Sequence, residues 1–242
     1  MCLNGRRGSA DGACVPLSPE AIARSAAEAV AAGATDVHVH PRTPCGRESL
    51  SPRVLAPVLG AVRARVPVPV PVGVSVGASA EPEPVARQAR VRTWSMLPDH
   101  ASVDWNEDGA EEIAGLLIDG GVGVEAGLRS GTDGAARFAA SPFAPKVLRV
   151  LAKVTDPDPD TAPESARALL AGLGTAHGRP VLLHGTEGGA WPVLRLAGRL
   201  GLAARIGLED TLLLPDGQPA RSNAELVTAG LTEYCRSRAG RG

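Results

Sequence analysis

The sequence is poor in aromatic residues, in lysine and in net charge. Aromatic side chains make up 2% of the 242 residues, which argues against the stacking platforms that bind single-stranded nucleic acids. Lys146 and Lys153 are the only lysines, and the other basic residues are arginines. The formal net charge is −1, so we expect no nucleic-acid partner and no acidic surface as a partner.

Long apolar runs and paired cysteines are also missing. No stretch approaches the roughly 20 apolar residues of a membrane span, so we expect no membrane association. Residues 1–13 have no apolar run of the kind that a signal peptide contains. The cysteines form no Cys-x-x-Cys pair and have no spacing typical of a metal site; they are Cys2, Cys14, Cys45 and Cys235. We therefore expect free thiols in a reducing, cytoplasmic compartment.

Apolar segments and amphipathic segments alternate along most of the chain. Valine-rich runs such as 68–76 and 147–154 predict buried strands, and the Ala-rich segment 18–32 predicts a helix. About eight such strand–helix units, in a length close to that of the fold, predict an α/β protein that is a closed (β/α)8 TIM barrel. No Gly-x-Gly-x-x-Gly follows the first strand, which argues against a dinucleotide-binding fold. No change in composition marks a second domain, so we expect a single domain over residues 1–242.

The segment Asp36-Val37-His38-Val39-His40 is the strongest local signal for chemistry. Residues i and i+2 of a strand face the same side, so His38 and His40 should point together. Two buried imidazoles each need a polar partner, and one divalent metal ion satisfies both. The alternative is a pair of exposed or hydrogen-bonded histidines. Because the chain has only five histidines, this spacing favours a metal site.

Polar residues recur where the predicted strands end. Barrel enzymes place their working side chains at the carboxyl ends of strands. Here those positions hold Ser75, Asp104, Asn106, Glu125, His184, Glu209 and Asp210. Each of them could instead be solvated, bond to backbone or build a turn; we take Asp104 as a candidate for substrate binding. Lys153, in the sixth predicted strand, is expected to be a surface lysine whose stem covers apolar area.

The stretch Arg205-Ile206-Gly207-Leu208-Glu209-Asp210 supplies a candidate third metal ligand. Two histidines and one carboxylate with an open position form a common catalytic zinc set, which here would be His38, His40 and Glu209. Residues 204–208 are predicted as the last strand, and arginine is unusual in a strand unless it meets an acid or an anion. Asp210 could act as a base, with Arg205 orienting it or holding a substrate carboxylate.

Two motifs in combination resemble the β-keto acid cleavage enzyme family, whose founding type is the 3-keto-5-aminohexanoate cleavage enzyme. One is His38-Val39-His40 after an Ala-Gly-Ala turn; the other is the stretch 205–210 followed by Leu213-Leu214-Pro215-Asp216-Gly217. The resemblance implies a zinc-dependent barrel that exchanges acyl groups between a β-keto acid and acetyl-CoA or another acyl-CoA. A retro-Claisen step would give acetoacetate and a new CoA ester. The resemblance also implies a homodimer or a homotetramer.

The resemblance assigns roles to individual residues by position. It implies that His38, His40 and Glu209 bind the metal. Asp210 and Arg205 match the family's base and its arginine partner, and Ser75 and Glu125 match residues that face the substrate.

The chain departs from the family pattern near its start. Gly5-Arg6-Arg7 stands where the founding type has Gly-Ala-Glu, whose acid helps to recognise an amino group. Arg7 would instead favour a substrate with an anionic or neutral tail. Val76 replaces a usual threonine and Thr211 a frequent asparagine. These changes leave the metal ligands intact and argue against an aminated substrate.

Two alternatives stay open. One is a metal-dependent hydrolase of the barrel type, for which His177 and His184 are the available extra histidines. The other is a catalytically silent metal-binding barrel.

Overall fold

Strands and helices alternate throughout the computed structural model, which describes residues 1–12, 14–67 and 69–240. The strands are β1 (Val37–Val39), β2 (Val72–Ser75), β3 (His100–Asp104), β4 (Gly123–Arg129), β5 (Arg149–Val154), β6 (Val181–Gly185) and β7 (Ala203–Ala204). The helices are α1 (Pro19–Ala31), α2 (Pro52–Arg63), α3 (Pro84–Arg92), α4 (Ala110–Asp119), α5 (Gly134–Ala140), α6 (Ala162–Leu173), α7 (Ala190–Leu200) and α8 (Asn223–Ala239). No helix within the described ranges is long and apolar enough to cross a membrane.

Local sequence chemistry sets where the helices begin. Proline is the first residue of α1, α2 and α3, where its fixed φ suits a helix and its missing N–H is not needed. Ser18 caps α1 by accepting a hydrogen bond from the Ala21 amide at 3.2 Å. The helices pack against the outward-facing valines of the strands, such as Val37, Val39 and Val74, which are fully buried. The main apolar core therefore lies between the sheet and the helices.

The strands form one parallel sheet in chain order, from β1 to β7. The sheet is strongly curved, as one contact across its inner face shows. Arg149, at the start of β5, donates a hydrogen bond at 2.7 Å to Oδ2 of Asp36, which lies just before β1. Residues 1–3 run beside β1, where Leu3 N donates to His38 O and His38 N to Met1 O. The segment 1–3 pairs with β1 through a single β-bridge, between Cys2 and His38. Among the described residues, no strand pairing joins this segment to β7, so the sheet is not closed by hydrogen-bonded strands there.

The prediction of a closed eight-stranded barrel is therefore only partly right. The structure is a TIM-barrel-like curved sheet of seven hydrogen-bonded strands within the described ranges. The strand predicted at 204–208 shortens to β7, because Asp210 N and Thr211 N both donate to Gly207 O and turn the chain. The strand predicted at 68–76 begins at Val72, and Val68 lies outside the described residues.

Candidate active site

The inner face of the curved sheet carries polar and charged side chains in place of the branched apolar layers usual in barrels. His38 lies in register with Gly73 of β2, and Gly73 lies in register with His100 of β3. A Cβ atom on Gly73 would lie 1.9 Å from His100 Cε1, so the imidazole of His100 fills the space that this glycine leaves. Small residues on β2 thus make room for a polar interior.

A cleft of about 240 Å³ opens at the carboxyl ends of the strands. Its lining includes Arg6, His38, His40, Ser75, Asp104, Arg129, Lys153, Arg205 and Glu209. The structure thus brings six of the nine predicted site residues to one cleft. The other three, Arg7, Glu125 and Asp210, are not part of its lining.

His40 is held from two sides. Its Nδ1 lies 2.7 Å from Glu48 Oε1, and Glu48 in turn accepts a hydrogen bond from Ser79 Oγ at 2.8 Å. The Asn4 side chain accepts from His40 N and donates to His40 O, which fixes the backbone at this residue. Since Nδ1 is engaged, Nε2 is the nitrogen that faces Glu209, with 3.6 Å to Oε2. A carboxylate on the far nitrogen is the usual support of a metal-binding histidine.

His38 lies deeper. Its Nδ1 points toward Glu125 Oε2 at 3.7 Å, too far for a hydrogen bond. Burial, followed by the neighbouring His40, holds the pKa of His38 well below its ordinary value. His38 is therefore a neutral imidazole, which is the form that binds a metal.

Glu209 is ionised and only partly satisfied. Burial alone would raise its pKa, but Arg205 and Lys153 hold the pKa well below the usual range of a glutamate. Lys153 Nζ donates to Oε1 at 3.1 Å. Oε2 is buried and has no hydrogen-bond partner among the described residues, although the Arg205 guanidinium is 3.1 Å away. This oxygen faces His40 and pairs with Arg205, so as a metal ligand it would lie between the two.

The expectation that Lys153 is a surface residue is wrong. Its register partners are Arg129 on one side and His184 on the other. Both lie on the inner face of the sheet, with Arg129 in the cleft lining and His184 fully buried. Because residues in register across neighbouring strands share a face, Lys153 must point inward as well.

The donor set fits a metal ion. Two imidazoles and one carboxylate, those of His38, His40 and Glu209, line the cleft. These three are not one of the groups of described residues whose donor atoms all lie within 4.8 Å of one another; those groups are Cys2, His38 and His40, and His38, His100 and Glu125. Both groups share His38, so within the described residues they form one region that could hold a metal.

Asp210 lies behind Arg205, fully buried. Its Oδ1 accepts from Arg205 at 2.9 Å and lies 3.0 Å from His184 Nδ1, while Oδ2 has no partner among the described residues. Burial alone would raise the Asp210 pKa, but Arg205 and then His184 lower it below its ordinary value. Burial, helped by Arg205, lowers the pKa of His184 to about 4, so this histidine is neutral and donates through Nδ1.

Glu125 lies below the cleft. It was expected at the end of its strand, but β4 continues to Arg129, so Glu125 is near the strand's beginning. It accepts from Arg149 Nε at 2.6 Å and lies 3.4 Å from His100 Nδ1. Asp36 completes this buried ionic network by contacting Arg149 and His100.

The network explains why charged groups are tolerated in the interior. Burial would raise the pKa of Asp36, but its hydrogen bond with His100 and the nearby charges lower it to about 2. Burial would lower the pKa of His100, but Asp36 and Glu125 raise it to about 9. Every member therefore has an oppositely charged neighbour, and Glu125 lies beside His38 and outside the cleft lining.

Arg7 is not the arginine that faces the cleft. The chain turns at Gly5, with φ +54°, and Arg7 N donates to Asn4 O at 3.1 Å. Arg7 then binds Leu208 O at 2.6 Å and, at 2.7 Å, Oε1 of Glu187, which lines the cleft, while Arg7 itself is not part of the lining. The turn presents Arg6 to the cleft instead.

The extra histidines that a barrel hydrolase would use do not both reach the site. His177 lies in a loop, where Nε2 contacts Gly174 O and Nδ1 accepts from Arg179 N, and it packs against Phe138. His184 bonds to Asp210. His177 does not line the cleft.

Several site residues escaped sequence reasoning. They are Cys2, Asn4, Arg6, Glu48, Arg129 and Lys153. Lys153 and Arg129 carried a usable signal, because Lys153 shares a face of β5 with Arg149 and Arg129 shares a face of β4 with Glu125. The others come from loops or the start of the chain, where no periodicity applies.

The family model described as beta-keto acid cleavage enzyme matches residues 1–116 and 146–236. No curated protein matches the chain. Among solved structures, the ternary complex of ObcA with C4-CoA adduct and oxalate is similar, with a TM-score of 0.69 at 19% identity. The binary complex of ObcA with oxaloacetate has a TM-score of 0.65 at 20% identity. In both comparisons the match covers 93% of this chain and 64% of the ObcA chain, so this chain spans less than two thirds of that relative's length.

A type I 3-dehydroquinate dehydratase from Clostridium difficile is also similar, with a TM-score of 0.61 at 12% identity. That match covers 91% of this chain and 90% of the other. At these identities the solved structures show a shared fold alone. The family model, by contrast, covers most of the sequence and includes both the histidine motif and the stretch 205–210. This chain belongs to the β-keto acid cleavage enzyme family.

Proposed function

We propose that this protein cleaves a β-keto acid in exchange with an acyl-CoA, using a zinc ion held by His38, His40 and Glu209. One observation carries the proposal: both histidines, Glu209, Arg205 and Ser75 converge on a single cleft at the carboxyl ends of the strands. Family membership supports the same reaction class. The homodimer or homotetramer expected from the family stays a prediction, as does the preference for zinc over other divalent ions.

The protonation states of two of the three ligands support the metal site. His38 is neutral and Glu209 is ionised, as metal ligands must be. Burial would lower the pKa of His40, but Glu48 raises it well above its ordinary value, so His40 must release a proton when it binds a metal. Glu48 holds the far nitrogen of His40, so Nε2 stays directed at Glu209. When bound, zinc would polarise the ketone and carboxylate oxygens of the keto acid.

Arg205 and Asp210 handle charge and protons in this proposal. Arg205 lines the cleft and is held by Asp210 and Glu209, so its guanidinium is positioned to bind the substrate carboxylate or a developing enolate. Asp210 is ionised, and its Oδ2 is free of partners among the described residues. Because Asp210 lies behind Arg205 and outside the cleft lining, we assign it as the base that takes up, by way of the Arg205 guanidinium, the proton leaving the carbon between the ketone and the carboxylate. Ser75, at the end of β2, offers a hydroxyl to the same substrate.

The reaction then exchanges the acyl group of the acyl-CoA for the acyl group of the keto acid. The carbanion forms a C–C bond to the thioester carbonyl, and the CoA thiolate leaves. The thiolate attacks the original ketone, the neighbouring C–C bond breaks in a retro-Claisen step, and Asp210 returns its proton. The products are a new CoA ester and, with acetyl-CoA as donor, acetoacetate.

Ligands of the structural relatives support this substrate class. ObcA has been solved with oxaloacetate and with a C4-CoA adduct and oxalate. Oxaloacetate carries a ketone β to one of its carboxylates. A fold that accommodates a keto acid and a CoA adduct in a relative is consistent with the same pairing here.

The test combines metal analysis with a product assay. The purified chain is incubated with a panel of β-keto acids and acetyl-CoA, and new CoA esters and acetoacetate are measured by mass spectrometry. We expect about one zinc per chain and product from at least one keto acid. The variant His38→Ala/His40→Ala should lose both metal and product, whereas His177→Ala, a histidine outside the cleft, should keep both. Zinc-loaded protein that makes no product from any keto acid would favour the silent metal-binding barrel.

A further inference from the structure

Cys2 is buried beside the two histidines. Its side chain is fully inaccessible, and its backbone forms the bridge to His38. Gly207 packs directly on the other side, since a Cβ atom there would lie 2.0 Å from Cys2 O. Cys2 forms no disulfide. The thiol is therefore held in the barrel interior by backbone contacts on both sides.

The donor atoms around Cys2 are close enough to share one metal ion. Cys2 Sγ and a ring nitrogen of each of His38 and His40 lie within 4.8 Å of one another. Sulfur and nitrogen bound to the same zinc are at most about 4.4 Å apart, from bond lengths of roughly 2.3 and 2.1 Å. Small side-chain movements therefore suffice to bring all three onto one ion.

A second, independent observation points to the same ion. Glu209 Oε2 is buried, has no hydrogen-bond partner among the described residues and lies 3.6 Å from His40 Nε2. The Arg205 guanidinium, 3.1 Å away, compensates its charge without forming a hydrogen bond to it. A metal ion beside His40 would give this oxygen the bond that it lacks.

The other group of possible donors already holds a cationic side chain. In the group of His38, His100 and Glu125, Arg149 binds Glu125 and Asp36 binds His100, while Nδ1 of His38 and of His100 has no hydrogen-bond partner within the described ranges. A metal ion there would lie close to the positive charge of Arg149. In the group that contains Cys2, the hydrogen-bond partner of the thiol is His40, itself a proposed ligand.

We propose that Cys2 is a fourth protein ligand of the metal, adding a thiolate to His38, His40 and Glu209. The inference rests on the proposed function only for the presence of the metal. On binding, the thiol loses its proton to solvent as the sulfur–metal bond forms. One sulfur in the set favours zinc, cobalt or cadmium over the hard ions magnesium and manganese. Zinc sites can expand to five ligands, so a substrate oxygen can still bind.

Cobalt(II) is the probe for this ligand. The zinc-free full chain is loaded with cobalt(II), and its near-ultraviolet spectrum is recorded beside the bound metal content. We expect a sulfur-to-cobalt charge-transfer band in the wild type and in Cys14→Ser, a matched cysteine variant. Cys2→Ser should lack the band while still binding cobalt. Its zinc affinity, measured by competition with a chromophoric chelator, should fall at least about tenfold.

Wild-type protein that binds one cobalt without the band would overturn the Cys2 assignment and leave the proposed function standing. Failure to bind any divalent metal would overturn both. Cadmium-113 NMR of the wild type reads the same ligand without a variant, in case Cys2→Ser does not fold. A resonance in the range of all-nitrogen and oxygen sites would contradict sulfur ligation, and a shift to lower field would support it.

Discussion

Glu209, Asp210 and His184 take their charge states from burial and from Arg205. Glu209 and Asp210 stay ionised although both are buried, because Arg205 contacts both carboxylates. His184 stays neutral because it is buried beside the same guanidinium. Arg205 is thus the residue on which the charge balance of the site depends.

Removing the carboxylate of Asp210 tests its role as the base. Asp210→Asn keeps the shape and can still accept a hydrogen bond from Arg205, but it cannot take a proton. We expect unchanged zinc content and a loss of at least about 100-fold in the rate of CoA-ester formation. Asp216→Asn, in an exposed turn, is the matched control and should keep the wild-type rate. A wild-type rate in Asp210→Asn would remove this residue from the chemistry.

Cys45 offers a prediction of pH dependence away from the cleft. Hydrogen bonds from Thr43 and then Arg47 lower the pKa of this exposed thiol from 9.0 to about 7. Because the thiolate is the nucleophile, alkylation of Cys45 by iodoacetamide should rise as the pH passes through about 7 and level off above it. Peptide mass spectrometry at a series of pH values measures the rates. Thr43→Val should move the midpoint upward, and an unmoved midpoint would show that Thr43 does not stabilise the thiolate.

Among the elements, α8 is joined to the site through its first residue. Asn223 Oδ1 accepts from Leu208 N, and Nδ2 donates to Leu3 O and Ser25 Oγ, all at 2.9 to 3.0 Å. One side chain therefore links the helix, the segment beside β1 and the turn that carries Glu209. The turn depends on this link because β7 ends at Ala204, before the turn begins.

We expect Asn223→Ala to lower the free energy of unfolding by about 2–4 kcal/mol, since it leaves buried backbone groups without partners. Ser222→Ala is the neighbouring control: it removes only the cap of α8, in which Ser222 Oγ accepts from Glu225 N at 3.1 Å, and should cost about 1 kcal/mol. Urea denaturation of both variants measures the difference. Equal losses would mean that Asn223 acts only as part of the helix start.

At the scale of the whole molecule, the curved sheet is completed by close backbone packing in place of a closed ladder. The segment 1–3 pairs with β1 on one side and approaches Gly207 on the other. Only a residue without a side chain permits that approach. The cleft therefore depends on contact between two parts of the chain that are far apart in sequence.

Gly207→Ala should separate these two parts, because the new Cβ would lie 2.0 Å from Cys2 O. We expect a loss of about 1–3 kcal/mol of stability, as for other overpacked positions. Gly172→Ala, in the last turn of α6 where the new Cβ would meet no other part of the chain within 4 Å, should instead gain up to about 0.5–1 kcal/mol. Thermal or urea unfolding of both variants gives the comparison. Similar stability of the two would contradict the close-contact account.

Much of the architecture was predictable from the sequence, since strand and helix periods and proline positions are local properties. The i, i+2 spacing of His38 and His40 placed both on one face, and the structure puts both in the cleft. Strand length was less predictable: Glu125 and β7 were misjudged because strand ends depend on pairing partners and on turns such as the one at Gly207.

The sequence by itself determined the alternation of strands and helices, the paired histidines and the motif with Arg205, Glu209 and Asp210. Each of these features depends only on residues that lie close together in the chain. Only the tertiary structure decided which side chains meet them. Curvature of the sheet brings Asp36 to Arg149, and the chain start lies against Gly207. Cys2, Glu48 and Lys153 join the site through contacts between separate segments, and burial then forces their charges and hydrogen bonds to be matched there.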